Sequence, residues 1–180
     1  MMKNLFQILC GLFLVVSYSS CMHSEEDKVD VLIIGGGASG VTSGIQSARM
    51  GANTLILEES TWLGGMLTSA GVSAVDGNYR LPAGLWGEFK NRLSDYYGGL
   101  DSLKTGWVSN VLFEPSVGNK ILHEMVAAEN NLKVWKQACL EEVKRTGDEW
   151  VAKVKVEGQG VKTVRAKVMI DATELGDVAK

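Results

Sequence analysis

Val29-Asp30-Val31-Leu32-Ile33-Ile34-Gly35-Gly36-Gly37-Ala38-Ser39-Gly40, followed by Glu58, is the stretch on which the fold turns. The β-branched and apolar residues Val29 and Val31–Ile34 predict a strand buried on both faces. The run stops at glycines spaced Gly35-x-Gly37-x-x-Gly40, so the strand turns tightly into a helix. Gly35 permits the turn, Gly37 removes the Cβ that would block a pyrophosphate, and Gly40 lets the helix pack closely on the sheet. The amides of Ala38, Ser39 and Gly40 then face the phosphates at the helix N-terminus, where the dipole favours an anion. Gly51 ends the helix and Thr54–Leu57 predicts the second parallel strand. Glu58 falls at its carboxyl end, 18 residues after Gly40, where a carboxylate accepts hydrogen bonds from an adenosine ribose. A glycine-rich turn of another α/β protein would not need strand, glycines, helix, strand and acid in this order within about 30 residues.

Ahead of this unit, residues 1–21 have the form of a leader. Lys3 supplies a positive start, Leu5–Val16 an apolar run of 12 residues, and Ser17-Tyr18-Ser19-Ser20 a small, polar approach to Cys21. Twelve residues are too few to span a bilayer. The arrangement resembles a bacterial lipoprotein signal peptide, which implies Cys21 as the lipid attachment site and a membrane partner through that lipid. Tyr18 stands where such signals usually carry Leu, and an ordinary secretory signal cleaved nearby is the alternative. Residues 22–28 read as an acidic tether; Ser24-Glu25-Glu26-Asp27 also resembles the tag that sends some lipoproteins to the cell surface. The expected location is therefore extracytoplasmic, anchored at the bacterial envelope or surface, or else periplasmic.

Charge and cysteine usage narrow the classes further. The whole chain carries a net charge of −3, and losing the leader with Lys3 makes it about −4, which gives no footing for nucleic acid. Cys10 and Cys21 belong to the leader, so Cys139 is left without an intrachain partner and reads as a small core residue. No His, Cys, Asp or Glu cluster has metal-ligand spacing, so no metal is expected. The remaining length of about 160 residues suits one domain at most.

After Glu58 a simple doubly wound dehydrogenase would add its next helix and strand promptly. Here about 70 residues intervene, opening Gly-rich and uncharged from Gly64 to Val75, which suits backbone lying close to a ligand as well as a plain loop. Residues 83–97 predict a helix with Trp86, Phe89, Leu93 and Tyr96 or Tyr97 on one face. The aromatics gathered between Trp62 and Phe113 fit a core better than rings stacked on a flavin or sugar. Pro115-Ser116 opens another helix, with Ser116 as cap and Val117, Ile121, Leu122, Met125 and Val126 buried; His123 lies off that stripe and is expected in solvent. Leu132–Trp135 predicts the third parallel strand. Cys139–Arg145, Trp150–Glu157 and Val161–Arg165, parted by Thr146-Gly147-Asp148-Glu149 and Gly158-Gln159-Gly160, predict an antiparallel meander. Lys167–Ile170 then reads as a separate buried strand ending in Asp171-Ala172-Thr173-Glu174-Leu175-Gly176-Asp177.

From Asp30 to Asp177 this succession, with its GGGASG turn, LGGM loop, meander and IDATELGD end, resembles the FAD-dependent oxidoreductases of the glutathione-reductase-like flavoprotein group. The likeness implies an α/β fold: a Rossmann-like FAD-binding parallel sheet with an antiparallel three-stranded meander, over residues 29–180. It implies FAD as cofactor, with Gly35, Gly37, Ala38, Ser39 and Gly40 at the pyrophosphate and Glu58 at the ribose. Gly64, Gly65 and Met66 correspond to a second phosphate and ribityl contact, and Leu140 to the backbone that meets the adenine. Ala172 and Thr173 resemble the turn beside the dinucleotide, although Glu174 replaces its usual glycine, and Gly176-Asp177 resembles a pair that approaches the cofactor. In this group the chain goes on to a substrate domain and returns to complete the sheet, so an incomplete domain is expected here, with the catalytic residues elsewhere. The implied activity is flavin-mediated hydride transfer on a small organic or carbohydrate-type substrate. The missing Cys-x-x-Cys argues against a disulfide reductase. Two alternatives stand: an NAD-binding dehydrogenase, which Glu58 would also suit, and a catalytically inactive, lipid-anchored binding module.

Overall fold

The structure is a computed structural model that describes residues 26–179 except Val108. The leader, Cys21 and the start of the acidic run lie outside the described residues. Elements run in the order β1 (Glu26–Ile34), α1 (Ala38–Arg49), β2 (Thr54–Glu58), β3 (Ala74–Val75), α2 (Gly84–Tyr97), β4 (Val111–Leu112), α3 (Pro115–Ala127), β5 (Leu132–Lys136), β6 (Ala138–Thr146), β7 (Glu149–Val156) and β8 (Gly160–Asp171). One sheet has the order β5-β2-β1-β8-β7-β6, and β3 pairs with β4 in a small separate ladder.

β5, β2, β1 and β8 are parallel neighbours, with Ile34 opposite both Leu57 and Asp171, so three strand ends share one edge. β6, β7 and β8 run antiparallel, turning at Gly147 and Gly158, both with positive φ. Only Gln137 separates β5 from β6, yet these strands stand at opposite ends of the sheet order. The sheet therefore curls, and the meander lies across one face of the parallel strands. Period-two alternation divides the core accordingly. Leu32, Ile34, Leu55 and Leu57 meet Ala152, Val154, Val156 and Val164 of the meander. Val31, Ile33 and Ile56 face the other way, toward Val41 and Ile45 of α1 and Phe89, Ile121 and Met125 of the insert.

α1 buries Gly40, Val41, Gly44, Ile45 and Ala48, a stripe at helical spacing, and ends before Gly51 at φ +91°. The aromatic stripe of the insert is core: Phe89 and Phe113 are buried with their rings edge-on at 5.4 Å.

Several local expectations change. Glu26–Lys28, expected in the tether, begin β1, because Thr163–Arg165 offer them a strand to pair with and Arg165 binds Glu26 at 2.6 Å. The third meander strand and the returning parallel strand are one element: β8 pairs β7 over Gly160–Ala166 and β1 over Thr163–Asp171. Ser116 does not cap α3; Glu114 holds that place with Pro115 at the first turn, and no side chain bonds the end amides. Cys139 is exposed, because Ala138 takes the inward position and the next residue must point out. Its thiol is pushed up by local desolvation and by Glu59, which disfavours the thiolate. His123 is half-buried, and that burial, with Lys136 nearby, favours its neutral form.

Candidate functional site

The strand ends of β1, β2 and β8 converge on the glycine loop. Gly35 has φ +102° and donates its N–H to Leu57 O at 2.9 Å, so the turn is tied to β2. A Cβ on Gly35 would come 2.5 Å from Ala172 O, and one on Gly40 would come 1.8 Å from Gly35 O. Gly37 differs: a Cβ there would meet nothing within 4 Å. It faces an open cradle at the start of α1, whose first turn has no acidic residue and no side-chain cap. The first amides of such a helix lack intrahelical acceptors, so the amides of Ala38, Ser39 and Gly40 are placed for an anion.

Glu58 is held by two backbone donors. Its Oε2 accepts the Gly36 N–H at 2.7 Å and its Oε1 accepts the Ser60 N–H at 2.7 Å. Each carboxylate oxygen keeps a further lone pair for an incoming hydroxyl. The motif spacing does not single out Gly36, yet a Cβ there would meet Glu58 Cβ and Oε2, each at 2.8 Å. Glu58→Gln puts an NH2 against one of the two donor amides. The FAD-free protein is therefore expected to lose stability of about 1–3 kcal/mol, read by its denaturant midpoint. An unchanged midpoint would count against this tethering role.

The LGGM loop lies directly on the glycine loop. Gly64 donates its N–H to Gly36 O at 2.8 Å and bridges Gly37, and a Cβ on Gly65 would stand 3.2 Å from Gly37 Cα. Gly64 and Gly65 have φ +106° and +52°, which other residues rarely adopt. Two side chains invisible to motif reading fix this loop: Asn119 Oδ1 accepts the Leu63 N–H at 2.9 Å, and Thr68 Oγ1 donates to Leu63 O at 2.5 Å. Met66 next to the pair is exposed. Leu140 stands apart in β6, packed with the meander cluster.

The turn after β8 abuts the glycine loop from the other side. Ala172 donates its N–H to Ile34 O at 2.8 Å. Asp171, to which the motif assigns no contact, organises the chain beyond β8: Oδ1 accepts the Thr173 N–H and hydroxyl at 3.0 and 2.7 Å, and Oδ2 accepts the N–H groups of Val178 and Ala179, each at 3.0 Å. Thr173 Oγ1 in turn accepts the Asp177 N–H at 2.8 Å, and Gly176 makes the bend at φ +67°. The Thr173 hydroxyl first, then these backbone donors, hold the Asp171 carboxyl below the usual carboxylate range. A depressed carboxylate stabilises the fold above its unfolded pKa of about 3.9 and loses that contribution as pH falls through its folded value. The protection factors of the Val178 and Ala179 amides are expected to fall on acidification below about pH 4, whereas Asp171→Ala should lower them at neutral pH as well. Protection that ignores both changes would contradict the assignment.

The family model for FAD dependent oxidoreductases matches residues 30–180. Among solved structures, the chain is similar to a flavoprotein/dehydrogenase from Cytophaga hutchinsonii, at 18% identity and TM-score 0.62, covering 84% of this chain and 40% of that one. It is also similar to a geranylgeranyl bacteriochlorophyll reductase-like protein from Thermoplasma acidophilum, at 19% identity and TM-score 0.56, covering 82% and 39%. OxyS anhydrotetracycline hydroxylase from Streptomyces rimosus matches at 14% identity and TM-score 0.56, covering 80% and 31%. At these identities the likeness is one of fold, and the chain spans less than half the length of each. No curated protein matches the sequence. With an open cradle at Gly37, an uncapped α1 and a fixed carboxylate at the end of β2, the residues fit the cofactor that the family takes its name from. By the match over residues 30–180, the chain belongs to the FAD dependent oxidoreductase family.

Proposed function

We propose that this chain holds FAD for hydride transfer with a small organic or carbohydrate-type substrate. The observation that carries the FAD site is the empty space above Gly37 at the head of α1, framed by Glu58, Gly64 and Gly65. When bound, FAD supplies the electron-accepting ring; the chain's own residues bind and orient it. In this reading the Ala38, Ser39 and Gly40 amides take the pyrophosphate and Glu58 accepts ribose hydroxyls while its other lone pairs keep Gly36 and Ser60 in place. Gly64, Gly65 and Met66 lie along the ribityl chain, the backbone at Leu140 meets the adenine, and Ala172, Thr173, Gly176 and Asp177 border the dinucleotide. The family and the mixed sheet with its meander support this reading over an NAD-binding dehydrogenase.

Denaturing the purified protein and identifying the released nucleotide by chromatography tests the cofactor. FAD at close to one per chain is the expected result, while NAD, or no nucleotide from soluble folded protein, would overturn it. Anaerobic addition of candidate alcohols, amines and sugars then tests the reaction through bleaching of the flavin absorption.

The leader supports a further part of the proposal, attachment at the bacterial envelope through lipid on Cys21. No helix among the described residues is long and apolar enough to cross a membrane. Labelled palmitate should enter the protein and be lost in Cys21→Ser; equal labelling of both would refute the anchor.

A further inference from the structure

Among the described residues, Lys90 is the one ionisable side chain that is buried, at 8% exposure. A buried cation is ordinarily paired with a carboxylate. Lys90 has none among the described residues: its Nζ donates to the carbonyls of Tyr79 and Leu81, each at 2.8 Å, and stands 5.9 Å from the centre of the Trp86 ring. An ammonium has three donors, so one remains without an acceptor among the described residues. The Trp86 indole N–H, one turn earlier on α2, is likewise buried without an acceptor among the described residues.

Lys90 of α2 lines a cavity of about 380 Å³ together with Arg80, with Leu100, Leu103 and Lys104 from the turn after α2, and with Asn110 and Val111 at β4. Arg80 donates through Nε to the Tyr79 hydroxyl at 3.0 Å and has no ion-pair partner among the described residues, which leaves its terminal nitrogens for a ligand. Lys104 pairs with Asp101 at 2.8 Å across an exposed contact, the sort that is easily exchanged. Three cationic side chains thus line the cavity and one of them, Lys104, has a carboxylate partner, in a chain whose net charge is −3. The cavity falls within the roughly 300–1,000 Å³ of small-molecule sites. None of its lining residues belongs to the glycine-loop site.

We propose that this cavity binds the carboxylate of a small organic acid. The guanidinium fork and the buried ammonium take the charged group, the Asn110 amide adds a hydrogen-bonding partner, and the exposed side chain of Leu100 accepts a hydrocarbon body that inorganic phosphate does not have. Binding here does not depend on the flavin assignment, so the two readings fail separately.

The test is calorimetric titration of the intact, FAD-loaded protein with succinate, its neutral analogue succinamide, and inorganic phosphate. Arg80→Gln and Lys104→Gln are the variants, chosen in place of buried Lys90 because both side chains are exposed and their loss leaves the core intact. Saturable binding of one succinate per chain is expected, weakened at least tenfold in each variant and by added salt, with no binding of succinamide. Absence of saturable succinate binding, affinity unchanged in Arg80→Gln, equal binding of succinamide, or phosphate bound in place of succinate would each overturn the proposal.

Discussion

Gly40→Ala is expected to lower the unfolding free energy by about 3 kcal/mol or more, the largest loss foreseen for any single methyl group added at the described glycines. The added carbon would stand 1.8 Å from Gly35 O and 3.3 Å from Ala172 Cβ. Both neighbours are fixed: Gly35 is bound to Leu57 O and Ala172 to Ile34 O, so neither can yield without breaking the junction of β1, β2 and β8. α1 would have to lift from the sheet, uncovering Val41 and Ile45, which are fully buried. Overpacking ordinarily costs about 1–3 kcal/mol, and a clash with backbone falls at or above the upper end. That is a large share of a total stability of about 5–15 kcal/mol. Thermal and denaturant unfolding of the FAD-free variant would show it; a midpoint close to that of the parent protein would contradict the packing described.

Gly37→Val should fail in the opposite manner. Gly37 has φ −64° and ψ −176°, a conformation open to any residue, and a Cβ there touches no protein atom within 4 Å. The FAD-free variant is expected to unfold within about 1 kcal/mol of the parent, the small deficit reflecting a poorer residue at the start of a helix. Affinity for FAD should nevertheless fall on the order of a hundredfold or more, about 3 kcal/mol, because the side chain fills the space assigned to the pyrophosphate. Fluorescence titration of FAD measures this directly. Parent-like affinity in the folded variant would remove the phosphates from this cradle. The pair of glycines separates structure from binding: two positions three residues apart in one motif, one sensitive through packing and the other through the ligand.

Much of this region was legible because its determinants are local. Strand, glycine spacing, helix and Glu58 lie in one short stretch, each constrained by backbone conformation, and the structure joins them by short hydrogen bonds. The meander turns were legible from Gly147 and Gly158 for the same reason. What escaped was non-local. The continuity of β8 was hidden because a strand that changes partners along its length leaves no mark in its own apolar pattern; the overlap at Thr163–Ala166 exists only once β1 and β7 flank it. The outward face of Cys139 comes from the inward place of Ala138, and the irregularity between Leu140 and Glu142 shifts the alternation further along β6. Asn119 reaches Leu63 across 56 residues, and no spacing rule connects them. Arg80, Lys90 and Lys104 are ordinary in sequence; folding the insert is what gathers them round one cavity.

The dual role of β8 also orders the events of biosynthesis. β1 is made first, but its partner on one side arrives late: the Lys167–Asp30 ion pair joins residues 137 apart. At ribosomal rates of about 5–20 residues per second, that edge of β1 waits on the order of ten seconds for its neighbour. Pairing over such a separation is slow in any case, because loop closure precedes the reward of contact. Glu26, Asp27, Lys28 and Asp30 put charges along the half of β1 that leads into the apolar Val31–Ile34 run. Charges in such a place discourage an unpaired edge from recruiting another nascent chain before β8 emerges to cover it.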